Sequence, residues 1–254
     1  MSWMSSAFCR SLSYREDSMR IDIVTLFPEM FAPMRESILG RAQKQNRLQI
    51  NVVNLRDYSE DRHMKCDDYP FGGGAGMVMM AQPIGSCIDA LDPGHEAWRI
   101  YMSPKGRVFR QETVFELLGH ERLLLLCGHY EGVDQRAIDL FIDEEMSIGD
   151  YVLTGGELPA MVITDCVARY VEGVISTSSL VDESFSDGLL EYPQYTRPVE
   201  YRGMSVPEVL RSGNHAKIDE WRHEQALEIT KKQRPDLLAP PKDRQDGEPD
   251  SENG

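Results

Sequence analysis

The sequence predicts an α/β fold on a mainly parallel sheet. Short β-branched or leucine-rich runs alternate with helix-length segments from Arg20 to Val174. Three of the apolar runs break into glycine-bearing loops, the form taken by buried strands whose carboxyl ends face a ligand. With 254 residues, 41% hydrophobic and 27% charged, the chain can bury a good core and has ordinary globular composition.

Arg20 to Phe27 reads as a strand from its β-branched content, stopped by Pro28. Pro28 to Asn46 follows as one helix, with Met30, Phe31, Met34, Ile38 and Leu39 on one face, and Leu48 to Leu55 as a second strand. Strand, helix, strand in that order predicts a parallel pair with a right-handed crossover. Arg56 to Pro70 has no periodicity and many charges, as functional or mobile loops do. It leads into Phe71-Gly72-Gly73-Gly74-Ala75-Gly76-Met77, which has neither a Walker A lysine nor G-x-G-x-x-G spacing. Two readings stay open there: an anion cradle of bare N–H groups before a helix, or a tight turn beneath a close backbone crossing. Further helices are expected at Gln82 to Leu91, Gln111 to Gly119 and Val133 to Phe141, and strands at Arg99 to Met102, Leu123 to Cys127 and Glu144 to Ile148. Leu158 to Val174 reads as a helix apolar on both sides, hence buried in the sheet or in a subunit interface.

The densest cluster of Gly, hydroxyl and acid residues is Ser147-Ile148-Gly149-Asp150-Tyr151-Val152-Leu153-Thr154-Gly155-Gly156-Glu157-Leu158-Pro159. Apolar segments flank it, so a buried or half-buried loop is expected, its backbone groups paired with a bound polar ligand. Leu123 to Gly132 and Arg99 to Arg107 have the same form. Three such loops point to one pocket.

Met1 to Ser18 lack a continuous apolar stretch, which excludes a secretory signal and leaves residues 1–18 as an unstructured extension. Residues 19–174 form the α/β domain. Residues 175–191, rich in Ser, Asp and Glu, read as a flexible linker, and 192–238, with helical patterns at Pro207 to Arg211 and Asn214 to Lys232, as a small all-α domain. The Pro-, Asp- and Glu-rich residues 239–254 are expected to be a disordered acidic tail.

No apolar run approaches the roughly 18 residues that span a bilayer, so no membrane partner is expected. Five cysteines with no C-x-x-C pair fit a reducing cytoplasm. The six histidines have no i,i+4 spacing, and no metal-ligand set is expected. A net charge of -15 counts against nucleic acid as a sum, but distribution matters more. Acids crowd Tyr130 to Glu157 and the tail, whereas Arg20 to Asp68 and Arg197 to Asp236 are balanced and leave room for a basic face.

Seven ordered blocks carry a resemblance: LFPEMF (Leu26 to Phe31), FGGGAGM, YMSPKGR (Tyr101 to Arg107), CGHYEGVDQR (Cys127 to Arg136), DEEMSIGDYVLTGGELPAM (Asp143 to Met161), YPQYTRP (Tyr192 to Pro198) and SGNHAKIDEWR (Ser212 to Arg222). With these, the chain resembles the bacterial tRNA (guanine-N1)-methyltransferases, trefoil-knotted enzymes that modify guanosine 37. The resemblance implies a deep C-terminal knot and a homodimer whose active site is shared between subunits. It implies S-adenosylmethionine held by Tyr101, Met102, Ser103 and Pro104, by Gly128, Tyr130, Glu131 and Gly132, and by Ile148, Gly149, Asp150, Tyr151, Val152, Leu153, Gly155, Gly156 and Pro159. Glu131 is further implied as a holder of Mg2+ beside the cofactor's carboxylate.

Guanine N1 carries a proton at neutral pH, so methylation there needs a base, and a cation near O6 eases the charge that builds. The resemblance assigns the cation to Arg169 and the base to an Asp just before Ser-Phe. This chain departs from that pattern: Glu183 precedes Ser184-Phe185 and Asp182 lies one residue earlier. Glu183 is taken first, Asp182 second and Asp187 third. Arg197, Lys217, Arg222, Lys231, Lys232 and Arg234 are candidate phosphate contacts to tRNA, and Ser59 to His63 resembles a family stretch near the substrate. Two other functions stay open: a knotted RNA methyltransferase with another target base, and a non-catalytic RNA- or nucleotide-binding module.

Overall fold

The first strand, β1 (Met19–Thr25), pairs in parallel with β2 (Leu48–Asn54) on one side. The computed structural model describes residues 18–176, 184–185 and 188–239. Between β1 and β2 the chain makes a 3-10 helix (Pro28–Arg35) and a short α-helix, α1 (Ser37–Lys44). The single helix expected over this stretch is therefore broken in two. Pro33 removes a donor inside the first part, Glu36 is extended and Ser37 adopts φ +53, which no continuous helix allows.

After β2 come a 3-10 turn (Leu55–Tyr58) and an antiparallel ribbon of β3 (Asp67–Asp68) and β4 (Val78–Met79), with the glycine run between them. The run thus precedes a strand, and the anion cradle at a helix start is set aside. α2 (Ala81–Leu91), β5 (Trp98–Val108), α3 (Gln111–Leu118), β6 (Arg122–Cys127), α4 (Gln135–Phe141), β7 (Glu144–Ser147) and α5 (Glu157–Ala168) complete the first unit. The sheet order is β2-β1-β6-β5-β7, with every neighbouring pair parallel.

Side chains alternate across each strand. Leu124 and Leu126 of β6 pack with Val24, Ile84, Ile88 and Ala137, beneath α2 and α4. Leu123, Leu125 and Cys127, also fully buried, alternate to the opposite face, and α5 packs on β1 and β6. That helix ends at Ala168, six residues before the expected Val174. Tyr170 and Val171 close 3-10-type hydrogen bonds to Val167 and Ala168, and Gly173 at φ +79 reverses the chain.

The amino ends of the strands are clamped by a buried ionic network. Asp22, fully buried on β1, accepts hydrogen bonds from Arg20 Nη2 (2.9 Å), Asn51 Nδ2 (2.8 Å) and Arg122 Nε (2.7 Å). Asp92, one residue past α2, accepts from Arg99 Nε at 2.8 Å and from the Glu96 N–H at 2.9 Å. Burial pushes the Asp92 carboxyl up, but the Glu96 N–H, the Arg99 side chain and the Ala97 N–H together hold it below the usual carboxylate range. The network lies toward the amino ends of the strands and leaves the carboxyl ends free of it.

Contacts divide the chain after Ile175. In the second unit α7 (His215–Gln233) is the main element, capped by Asn214, whose side chain accepts from the Lys217 N–H at 3.3 Å. Before it lie the ribbon β8 (Glu200–Tyr201) with β9 (Met204–Ser205), and the short α6 (Glu208–Arg211). The ribbon corrects the expectation of an all-α unit: Arg202 at φ +54 and Gly203 at φ +81 turn the chain back on itself. Arg222 lies over the Tyr192 ring at 4.8 Å, and the Leu190 N–H donates to Thr230 Oγ1 at 2.8 Å, fastening the entering segment to α7.

Candidate active site

Three segments meet at the carboxyl ends of β5, β6 and β7 around a cavity of about 310 Å³. The first is more than the loop after a short strand that the sequence predicts, because β5 runs on to Val108. Met102 and Arg107 both pair with Met146, so residues 103–106 stand out of the ladder as a bulge. A Cβ at Gly106 would overlap the Glu145 carbonyl, so only glycine lets the returning strand lie against β7. Tyr101, Met102, Ser103 and Pro104 line the cavity from here. Burial, and then the Glu145 carboxylate, push the Tyr101 phenol up to about 12, so it stays neutral at physiological pH.

The second segment follows β6. Gly128, Tyr130, Glu131 and Gly132 line the cavity, with Tyr130 at φ +59 and Gly132 at φ +136 shaping the loop. The third follows β7: Ile148, Gly149, Tyr151, Val152, Leu153, Gly155, Gly156 and Pro159 all line the same space. Asp150 does not, although its neighbours on both sides do; its carboxylate is exposed. The middle of this loop is also less buried than its flanking apolar runs predict, with Val152 85% exposed. A loop with few ladder partners keeps its backbone hydrated.

The third segment is tied to the second: the Gly156 N–H donates to the Gly128 carbonyl at 2.8 Å, and His129 bridges Gly155. A Cβ on Gly156 would sit 2.8 Å from Cys127 Cα and from Gly128 N. Behind them Glu157, 1% exposed, accepts from Thr25 Oγ1 at 2.8 Å, joining the start of α5 to the end of β1. Burial, with the Glu157 carboxylate adding to it, raises the thiol of Cys127 well above its ordinary range.

Several residues at the cavity or behind it lie outside the expected set, and three of them carry titratable side chains that bear on its shape. His129 and Glu145 line it, and Glu157 braces it. His129 stands inside the CGHYEG block, so its place was visible but not its orientation; its Nδ1 is buried without a hydrogen-bond partner. Nothing in the local pattern distinguishes Glu157 from a solvated helix-start acid.

Of the expected catalytic groups, Arg169 is among the described residues. Arg169 caps the far end of α5, about 18 Å along the axis from Glu157 at 1.5 Å per residue, and is absent from the lining of this cavity. Glu183, Asp182 and Asp187 lie outside the described residues. Among the described residues no three His, Cys, Asp or Glu side chains are grouped to hold a metal ion, and no helix is long and apolar enough to cross a membrane.

Fold and cavity define the class: a parallel α/β domain that takes a small molecule with polar and apolar parts beyond the carboxyl ends of its strands. Residues 19–240 match the family model described as tRNA (guanine-1)-methyltransferase, TrmD, and the chain belongs to that family. It is 60% identical over 224 residues to a tRNA (guanine-N(1)-)-methyltransferase of Ruminiclostridium cellulolyticum, covering 87% of this chain and 96% of that one. Proteins of the same name from Alkaliphilus oremlandii and Geobacter sulfurreducens are 57% and 54% identical, over 87% of this chain and 92% and 91% of theirs.

Proposed function

We propose that this protein transfers a methyl group from S-adenosylmethionine to N1 of guanosine 37 in tRNA, in the cytoplasm. The observation that carries the reading is the convergence of three glycine-bearing segments on one cavity in a chain of this family. The residues fit the cofactor: the three segments line one space with polar main chain and side chains, and Tyr101, Met102, Leu153 and Pro159 offer apolar walls. When bound, S-adenosylmethionine supplies a methyl group on a positively charged sulfur. Glu131 supports a role for Mg2+ as the one carboxylate of the second segment at the cavity, since Mg2+ needs few protein ligands.

The chain's own residues then have two tasks. A carboxylate, Glu183 or Asp182, takes the proton from guanine N1 and so frees the nitrogen lone pair that would accept the methyl group. Arg169 donates to O6, where negative charge builds. Its distance from the cavity along α5 supports a homodimer in which each site takes Arg169 from the partner. Leu158 and Val162, both exposed and one turn apart on α5, support the same reading, since an apolar helix face is normally covered.

The knot is supported by the route of the chain. From β7 at the sheet's edge, the third segment crosses back past β5 to reach Gly128 at the end of β6, and α5 then packs beneath β1 and β6. RNA contacts fall to Arg197, Lys217, Arg222, Lys231, Lys232 and Arg234 in the second unit, with the target base flipped out of its stack.

The test mixes the protein with labelled cofactor and tRNA transcripts bearing G or A at position 37. Methylation with G alone supports the reading; methylation with A as well points to a different base specificity, and none with either to a binding module. Repeating the assay with Glu183→Gln and Asp182→Asn assigns the base: loss in the second variant alone overturns Glu183.

A further inference from the structure

The glycine run of the β3–β4 ribbon is not absorbed by the site described above. Its two aromatic residues are displayed rather than packed: Tyr69 is 78% exposed and Phe71 is 99% exposed. A fully exposed phenylalanine leaves its whole apolar area in water, at a cost that covering by a partner removes. The three residues after it, Gly72, Gly73 and Gly74, have φ of +87, +79 and +132, and Cβ atoms at Gly72 or Gly73 would meet nothing within 4 Å. The tip therefore stands clear of the body, closed by a turn in which the Gly73 N–H donates to the Pro70 carbonyl at 3.2 Å.

Its base is fixed, and fixed to the cavity. The Met79 N–H donates to the Gly132 carbonyl at 2.9 Å, the Glu131 N–H to the Met77 carbonyl at 3.0 Å, and the Asp134 N–H to the Met79 carbonyl at 2.9 Å. The His129 N–H donates to Met79 Sδ at 3.1 Å, and a Cβ on Gly76 would overlap the Glu131 side chain. The loop thus rises from the same 129–134 segment that walls the candidate active site. It carries Asp67 and Asp68 at its foot and no Lys or Arg between Tyr69 and Met79, so it is built for an uncharged planar face and not for phosphate.

We propose that Phe71 is a stacking platform for an unpaired RNA base adjacent to the guanosine being methylated, with Tyr69 as its flank. The proposal rests on the function given above. A base that leaves its stack for chemistry strips a neighbour of its partner, and an aromatic ring replaces that partner whatever the neighbour's identity. The anchored stem keeps the ring beside the cavity.

The experiment uses the full chain and compares wild type, Phe71→Ala and Phe71→Trp. Filter binding measures affinity for a tRNA transcript with G at position 37, calorimetry measures S-adenosylmethionine affinity, and sedimentation measures oligomeric state. The same transcripts made abasic at position 36 or 38 complete a double-mutant cycle. Phe71→Ala is expected to weaken tRNA binding by about 5- to 100-fold, the range for loss of one base–aromatic stack. Cofactor affinity and oligomeric state are unchanged, and Phe71→Trp restores binding. One abasic transcript binds wild type more weakly yet loses nothing further against Phe71→Ala. Undiminished tRNA binding by Phe71→Ala, or an abasic penalty that persists in it, overturns the proposal. A shift in oligomeric state also overturns it, by showing a second copy as the occupant. Failure of the wild type to methylate any transcript refutes the underlying function instead, and the binding cycle still reads the role of Phe71.

Discussion

Gly156→Ala is the most direct probe of how the cavity is held. The added Cβ lies 2.8 Å from Cys127 Cα and Gly128 N and 3.0 Å from Met102 Cβ, so the start of α5 must separate from the end of β6 by about 0.6 Å to reach the 3.4 Å of ordinary contact. Two of the three obstructing atoms are backbone at the end of a buried strand, and no rotamer change moves them. Overpacking of this kind costs about 1–3 kcal/mol. For a chain of this size each kcal/mol lowers Tm by about 2–4 °C, so a fall of roughly 2–12 °C is expected in a thermal melt. The same displacement stretches the hydrogen bond from Gly156 to Gly128, which ties two of the cavity's three walls together. Misplacement of about 1 Å at a reacting centre costs on the order of 100-fold, so calorimetry on S-adenosylmethionine and single-turnover methylation are both expected to show losses approaching that size. Retention of wild-type Tm and cofactor affinity in Gly156→Ala would refute the close-approach argument.

Other consequences follow from the amino end of the sheet and from the core. Asp22→Asn leaves Arg122 facing an uncharged partner in a buried setting and is expected to cost about 3–5 kcal/mol in denaturant unfolding, with little change in cofactor affinity for the folded fraction. Asp92 titrates lower folded than unfolded, so its stabilising contribution is complete above the unfolded value near pH 3.9 and is lost as pH falls through the lower folded value. Acid unfolding monitored by circular dichroism should therefore steepen below about pH 4, and less so in Asp92→Asn. Cys127, fully buried with its thiol pushed well up, is expected to react with a thiol-specific reagent only at the rate of global unfolding; rapid labelling in the native protein would contradict that burial.

The sequence alone determined the repertoire of elements and the three loops of one pocket, which follow from local pattern; the lining residues came from the resemblance to a family. Apolar runs of strand length followed by glycine-bearing turns give parallel strands with open carboxyl ends, and sixteen of the seventeen residues expected around the cofactor line one space. Asp150 is the exception, since which way a loop residue faces depends on what lies behind it. The extension of β5 to Val108 through a bulge is set by tertiary contact, whereas the split at Ser37 and the end of α5 at Ala168 are set by local backbone breaks. A proline, a close crossing at Gly106 and a reversal at Gly173 each override a continuous apolar pattern. Only the fold could show that Glu157 braces the cavity through Thr25, for their side chains meet across 132 residues of chain. Only the fold, too, places Arg169 a helix length from the cavity its own chain lines. Periodicity reports which face of an element is apolar; the three-dimensional path decides which elements meet.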